Sequence, residues 1–223
     1  MTHDVPPSAS GPPCSCCHTT HGTRLVVLTG GPGAGKTAVL EVIRRHFCQH
    51  VAVLPEAASI LFGGGFPRRD ELAARKAAQR AIARVQIELE RLHLDEGRAA
   101  IALCDRGVLD SLAYWPGDPA EFLDDLGMTH EALLRRYAAV IQLQVPGDGE
   151  GYGHSNPLRT ETAAQAAEIG HRIGEAWTGH PRLTVIPSAP DFLEKLRLAV
   201  AAIRAEVPEC CRQHAVPGVP PHA

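Results

Sequence analysis

Apolar residues along this chain alternate between two patterns: short unbroken runs, and longer stretches in which they recur every three or four positions. The runs are LVVLTG (25–30), VAVLPE (51–56), AAIALCD (99–105), AAVIQLQVP (138–146) and LTVIP (183–187). They are too short for helices and apolar on successive residues, which predicts strands buried on both faces. Between them, residues 36–47 set Val39, Leu40, Ile43 and Phe47 on one helical face. Residues 70–96 predict a long helix with Leu72, Ile82, Val85, Leu89 and Leu92 as its apolar stripe, capped by Asp70 and stopped by Gly97. Residues 118–136 predict one or two short helices. Residues 160–177 predict a helix weakened by two glycines, and residues 190–207 a closing helix with Ser188 and Asp191 as a capping pair. This alternation predicts an α/β fold: a mostly parallel five-stranded sheet with helices on both faces. Ligands of such sheets gather beyond the carboxyl ends of the strands, which directs attention to residues 30–37, 55–57, 105–106, 146–160 and 187–189.

The two ends of the chain lack this periodicity. Residues 1–23 and 209–223 are rich in Pro, His and Cys, the first stretch also in Ser and Thr. They read as a disordered arm and a disordered tail around one domain of residues 24–208. The whole is 44% hydrophobic and 21% charged, with a formal net charge of −3. That balance speaks against nucleic acid as a partner but leaves small anions open. No apolar run is long enough to span a bilayer, and the N-terminus has no apolar leader, so a cytoplasmic protein with reduced thiols is expected. Five of the seven cysteines crowd toward the ends, Cys14, Cys16 and Cys17 near His18 and His21, and Cys210 and Cys211 near His214 and His222, while Cys48 and Cys104 lie within the domain. Thiolate and imidazole suit zinc, whereas adjacent Cys-Cys pairs depart from the usual two-residue ligand gap. A metal site joining the ends and a merely biased tail both stay open.

The first strand runs directly into Gly30-Gly31-Pro32-Gly33-Ala34-Gly35-Lys36-Thr37, which fits G-x-x-x-x-G-K-[ST] throughout. Glycines let successive backbone N–H groups turn inward on phosphate oxygens, and the following helix adds its positive N-terminus. Lys36 is placed for the terminal phosphates of a nucleoside triphosphate, ATP or GTP, and Thr37 offers its hydroxyl to Mg²⁺. The third strand ends in Asp105, where a carboxylate can hold the same Mg²⁺; capping of the next helix is the other use of an Asp there. Arg106 follows, placed to grip a phosphate or a sugar on an acceptor.

Asp105-Arg106, then Ser111 and Ala113-Tyr114, resembles the D-R-x-x-x-S-x-x-A-Y run of thymidylate kinases. Glu56 in VLPEAAS resembles the acidic residue that thymidylate and deoxynucleoside kinases carry after their second strand. Residues 25–205 as a whole are similar to the NadR-type P-loop family of predicted ATPases, which includes a ribosylnicotinamide kinase domain. The chain departs from thymidylate kinases in carrying Pro55-Glu56-Ala57 where they have R-E-P. The resemblance implies a P-loop kinase-like fold, with Glu56 as general base toward an acceptor hydroxyl. Helix capping or an arginine partner would equally use that carboxylate. The glycine-rich PGDGEGYGHSNPLRTETAAQ reads as a lid. The resemblance makes its Arg159 a stabiliser of the transferring phosphoryl group, against a pairing with Glu161. His154 and Asn156 in the same stretch, and Arg68 and Arg69 in FGGGFPRRD, read as solvated or ligand-facing. Tyr114 and Trp115 fit the core better than a base-stacking role, and residues 187–189 fall where such kinases seat the adenine.

The leading expectation is therefore an enzyme: a small-molecule kinase that transfers the γ-phosphoryl group of ATP to a nucleoside- or nucleotide-like acceptor. Lys36, Glu56, Asp105, Arg106 and Arg159 would be catalytic, with Mg²⁺ on Thr37 and Asp105, and a homodimer is a candidate assembly. The alternative is an ATP- or GTP-dependent switch acting through a partner. A ring-forming mechanical ATPase is disfavoured, because nothing resembles a helical lid domain after the sheet.

Overall fold

The computed structural model describes residues 21–145, 162–189 and 191–219. Five strands, β1 (Arg24–Thr29), β2 (Val51–Leu54), β3 (Ile101–Asp105), β4 (Ala139–Leu143) and β5 (Leu183–Ile186), form one sheet in the order β2-β3-β1-β4-β5. Every pairing is parallel, so all five carboxyl ends lie on one edge. β1 sits at the centre, and its loop has a strand end on either side of it. The order of connection switches sides at β1, with β2 and β3 on one side and β4 and β5 on the other, so the cleft opens at that switch point.

β1 shows why helices must cover both faces. Leu25 and Val27 point to one side and Val26 and Leu28 to the other, and all four are buried. Val26 and Leu28 join α1 (Lys36–His46) and α8 (Phe192–Glu206) through Val39, Leu40, Ile43, Val200 and Ile203. Leu25 and Val27 face α3 (Leu72–Glu96), α4 (Asp110–Tyr114), α5 (Pro119–Leu126), α6 (His130–Arg135) and α7 (Ala163–Ala176) through Ala83, Ala113, Phe122, Leu133 and Ile173. A short α2 (Ala57–Gly63) follows β2. No helix among the described residues is long and apolar enough to cross a membrane.

Three expectations change. The long helix starts at Leu72 behind Glu71, with no side-chain cap, although it ends at Gly97 as expected. Its buried face is Ala83, Gln86 and Glu90; Leu72 and Leu92 are 58% and 51% exposed. The cause is a polar network. The carboxylate of Glu90, fully buried, accepts from Arg136 (2.6 Å), Tyr137 (2.7 Å) and Gln86 (3.0 Å), and a buried carboxylate so paired outweighs the apolar stripe in setting the helix rotation. The third change concerns residues 209–219, which pack rather than trail off as a tail. A 3₁₀ turn (Glu209–Cys211) leads to a bridge between Val216 and Val219, and Cys211, Val216 and Val219 are buried against the α1/α8 core. Burying each valine contributes about 1.5–3 kcal/mol, a gain the polar composition of the segment hides.

Candidate nucleotide site

β1 delivers the chain into a turn that only glycine can make. Gly30 has φ 141°, and a Cβ placed there would lie 2.2 Å from the carbonyl oxygen of Leu143. Gly33 and Gly35 also have positive φ. Lys36 opens α1 behind Gly35, with no side-chain cap and no acidic residue in the first turn, which leaves the helix N-terminus for an anion. Thr37 is exposed beside it. Lys36 Nζ donates to the carbonyls of Gly30 (2.9 Å) and Gly31 (3.4 Å) from a buried position. Burial, helped by the Arg106 guanidinium, lowers its pKa to about 8, against the pull of Asp105, Glu56 and Asp110.

Strand register brings the acidic and basic groups to this mouth. Leu28 is level with Asp105, and Leu54 is level with Cys104, so Glu56 and Arg106 lie two residues past the same rung of β2 and β3. Arg106 Nε donates to Glu56 Oε1 at 2.7 Å; its Nη1 donates to the Gly30 carbonyl at 3.2 Å and to Asp110 Oδ2 at 3.3 Å. Arg106 has φ 73°, the one positive φ outside glycine among the described residues. A left-handed arginine costs about 1–3 kcal/mol and persists only where its surroundings over-determine it. Here the over-determination is visible: three acceptors hold the guanidinium, and the backbone N–H of Arg106 donates to Leu28 O at 3.1 Å.

The two carboxylates at the mouth differ. Burial would raise the pKa of Glu56, but the Arg106 guanidinium, the Ser59 hydroxyl (2.6 Å to Oε2) and Lys36 together hold it below the usual carboxylate value. Burial raises that of Asp105, and the nearby Lys36 and Arg106 offset it only in part. Asp105 Oδ1 is buried and has no hydrogen-bond partner. A buried carboxylate oxygen without a donor suits a hard divalent cation. The oxygen donors of Asp105 and Thr37 therefore fit Mg²⁺.

The structure thus brings Lys36, Glu56, Asp105, Arg106 and the whole Gly30–Thr37 turn to one edge. Glu56 takes the arginine partner that the sequence left open. Arg159, with His154 and Asn156, lies outside the described residues. Arg68 and Arg69 are exposed, with the Arg68 guanidinium 5.4 Å from the centre of the Phe62 ring. Trp115 is buried against Phe122, and Tyr114 lies under the Arg106 guanidinium at 5.5 Å. The two glycines that weaken the 160–177 helix each have a packing reason: a Cβ on Gly31 would come 3.1 Å from Gly170 Cα, so Gly31 and Gly170 let α7 abut the turn, and a Cβ on Gly174 would come 3.0 Å from Gln142 Nε2.

Two residues went unnoticed in the sequence. Asp110 is 2% exposed; it accepts from Thr29 Oγ1 (2.5 Å) and Arg106 on one oxygen and from Trp177 Nε1 (2.6 Å) on the other. Its signal was an acid inside the very run that carries Asp105 and Arg106. Phe192 is 43% exposed, and its ring lies where a Cβ on Gly35 would be 2.9 Å away. It stands three residues past the segment expected to seat the base.

A family model described as an AAA domain matches residues 25–195. Among solved structures, the chain is similar to thymidylate kinase from Ehrlichia chaffeensis, with a TM-score of 0.52 and 14% identity, over 82% of this chain and 98% of that one. No curated protein matches the sequence. Together these findings establish a P-loop fold of the nucleotide-kinase kind.

Proposed function

The chain belongs to the AAA-domain family, a nucleotide-binding P-loop family, and from that membership and the cleft geometry we propose that it is a small-molecule kinase. It transfers the γ-phosphoryl group of ATP to a hydroxyl or phosphate of a nucleoside-like acceptor. The observation that carries this reading is the Glu56–Arg106 pair, fixed by strand register across from the Gly30 carbonyl. A protein that only bound and released a nucleotide would need no carboxylate and guanidinium facing the phosphate tail.

The roles follow from charge and position. The Gly30–Thr37 amides and Lys36 hold the β- and γ-phosphates, and Lys36 neutralises charge as the γ-group leaves. Thr37 and Asp105 would hold Mg²⁺, which would supply charge neutralisation at the phosphates. Arg106 grips the acceptor side, and Asp110 keeps it there. Glu56, held as a carboxylate near neutral pH, accepts a hydrogen bond from the acceptor hydroxyl and takes its proton late. A strongly basic group is unnecessary, because the transition state of phosphoryl transfer is loose. Arg159 is assigned the stabilisation of the transferring group, and the Phe192 ring a face of the adenine.

The test is an ATP-consumption screen across nucleosides, nucleotides and pyridine ribosides. Acceptor-stimulated turnover is expected, and Glu56→Gln should lower it at least 100-fold with ATP affinity unchanged. Slow hydrolysis that no acceptor stimulates would replace the kinase with a nucleotide-dependent switch.

A further inference from the structure

On the opposite edge of the sheet, before the strands begin, six thiol and imidazole side chains from three distant parts of the chain converge. Cys48 and His50 lie on the α1–β2 connection, His21 precedes β1, and Cys210, Cys211 and His214 follow α8. The donor atoms of Cys48, Cys211 and His214 lie within 4.8 Å of one another, as do those of His21, His50 and Cys210. Cys211 joins the two trios. Its Sγ is 3.5 Å from Cys48 Sγ, 3.1 Å from His50 Nδ1 and 3.7 Å from Cys210 Sγ. Zinc bonds of 2.0–2.3 Å in a tetrahedron set neighbouring donors roughly 3.3–3.8 Å apart, so the cluster is close to ligand spacing as it stands.

Three further observations point to a ligand. Cys48, His50 and Cys211 are all less than 5% exposed, so the donors sit where water competes poorly. His214 Nε2 is buried and has no hydrogen-bond partner, although His50 is near enough to act on it electrostatically. No carboxylate belongs to either trio, and a purely sulfur–nitrogen donor set selects zinc over magnesium or calcium.

We propose that Cys48, His50, Cys211 and His214 hold one zinc-class ion that fastens residues 208–219 to the edge of the sheet. The ligand pairs are then C-x-H and C-x-x-H, more than 150 residues apart in sequence. His50, whose Nδ1 lies 3.1 Å from Cys211 Sγ, supplies the fourth ligand beside the Cys48–Cys211–His214 trio. Cys210 and His21, 3.4 Å apart, lie beside it as outer donors. Binding deprotonates both thiols and closes the loop between the two ends of the domain.

The experiment uses the full chain, kept reduced and stripped with a chelator, then titrated with Co²⁺ and Zn²⁺ alone. One equivalent of Co²⁺ should give the intense visible bands of tetrahedral coordination with thiolate-to-metal charge transfer, and Zn²⁺ should displace it. Zn²⁺ should also slow tryptic cleavage after Arg212 at least tenfold. Cys211→Ser should abolish the charge-transfer band, and His214→Ala should weaken Zn²⁺ at least tenfold, while Cys210→Ser changes it less than threefold. None should alter ATP affinity. Should Cys211→Ser fail to fold, the wild-type titration and His214→Ala decide. A six-coordinate cobalt spectrum, sub-stoichiometric uptake, or a Cys48–Cys211 disulfide that persists despite the reductant would overturn the site.

Discussion

The two edges of the sheet carry opposite chemistry assembled in opposite ways. Beyond the carboxyl ends of the strands lie charged groups held by charge-assisted hydrogen bonds: Arg106 on Glu56, Asp110 and Gly30, and Lys36 on Gly30 and Gly31. Before the amino ends lie thiols and imidazoles within hydrogen-bond distance of one another. The first edge is built on one contiguous turn and its strand-level neighbours, so parallel register alone delivers the partners. The second draws on segments near residues 21, 48 and 211, which only the finished fold brings together. Each edge also has its own orphaned buried atom, Asp105 Oδ1 on one and His214 Nε2 on the other. Their natures differ as the ligands should: a carboxylate oxygen for a hard cation with phosphates, an imidazole nitrogen for a soft one.

If the edges are independent, damage to one must spare the other. The largest effect is expected from Lys36→Ala, which should weaken ATP binding by at least about 100-fold, roughly 3 kcal/mol, by calorimetry. The thermal midpoint of the nucleotide-free protein should not fall, because burying the Lys36 charge opposes folding near neutral pH. A midpoint drop together with loss of cobalt binding would mean the edges are coupled. Asp110→Asn comes next. It breaks a buried pair holding a strained arginine and should destabilise the domain by about 3 kcal/mol in urea melts; Trp177→Phe, which loses one hydrogen bond, should cost about 1 kcal/mol. Equal effects of the two would show that Asp110 matters only for packing Trp177.

A pH experiment sharpens the phosphate edge. Lys36 is depressed to about 8 in the free protein, and phosphates should restore its charge. ATP binding should therefore take up a proton between about pH 8 and 9 and none from Lys36 at pH 6.5, where the amine is already charged. Calorimetry in buffers of differing ionisation enthalpy reads this directly. Absence of uptake in the wild type at pH 8.5 would mean the amine stays charged in its cradle. The smallest effect is expected from Phe192→Ala, about 1 kcal/mol or fivefold in ATP affinity with phosphate binding unchanged, as one stacking face is lost. No change would return Phe192 to a purely steric place above Gly35.

Much of the architecture could be read from one dimension. Five apolar runs became five strands, within a residue or three at each end, and the Gly30–Thr37 turn formed between strand and helix where its spacing placed it. Apolar runs are legible because burial on both faces leaves no polar position to interrupt them. The turn is legible because eight adjacent residues, with positive φ at Gly30, Gly33 and Gly35, set their own backbone path. What stayed hidden depended on partners far along the chain. The α3 stripe of Leu72, Val85 and Leu92 lost to Gln86 and Glu90 because Arg136 and Tyr137, some 46 residues on, satisfy the carboxylate. Asp110 gained its meaning from Thr29 and Trp177, and Cys211 from Cys48 and His50. The sequence by itself determined the strands, their parallel arrangement and the phosphate turn, since each follows from short-range sterics and apolar continuity. Only the tertiary structure decided helix rotation, the anchor of Arg106 and the thiol–imidazole cluster, because the worth of a buried polar group depends on a donor or acceptor that adjacency in sequence does not reveal.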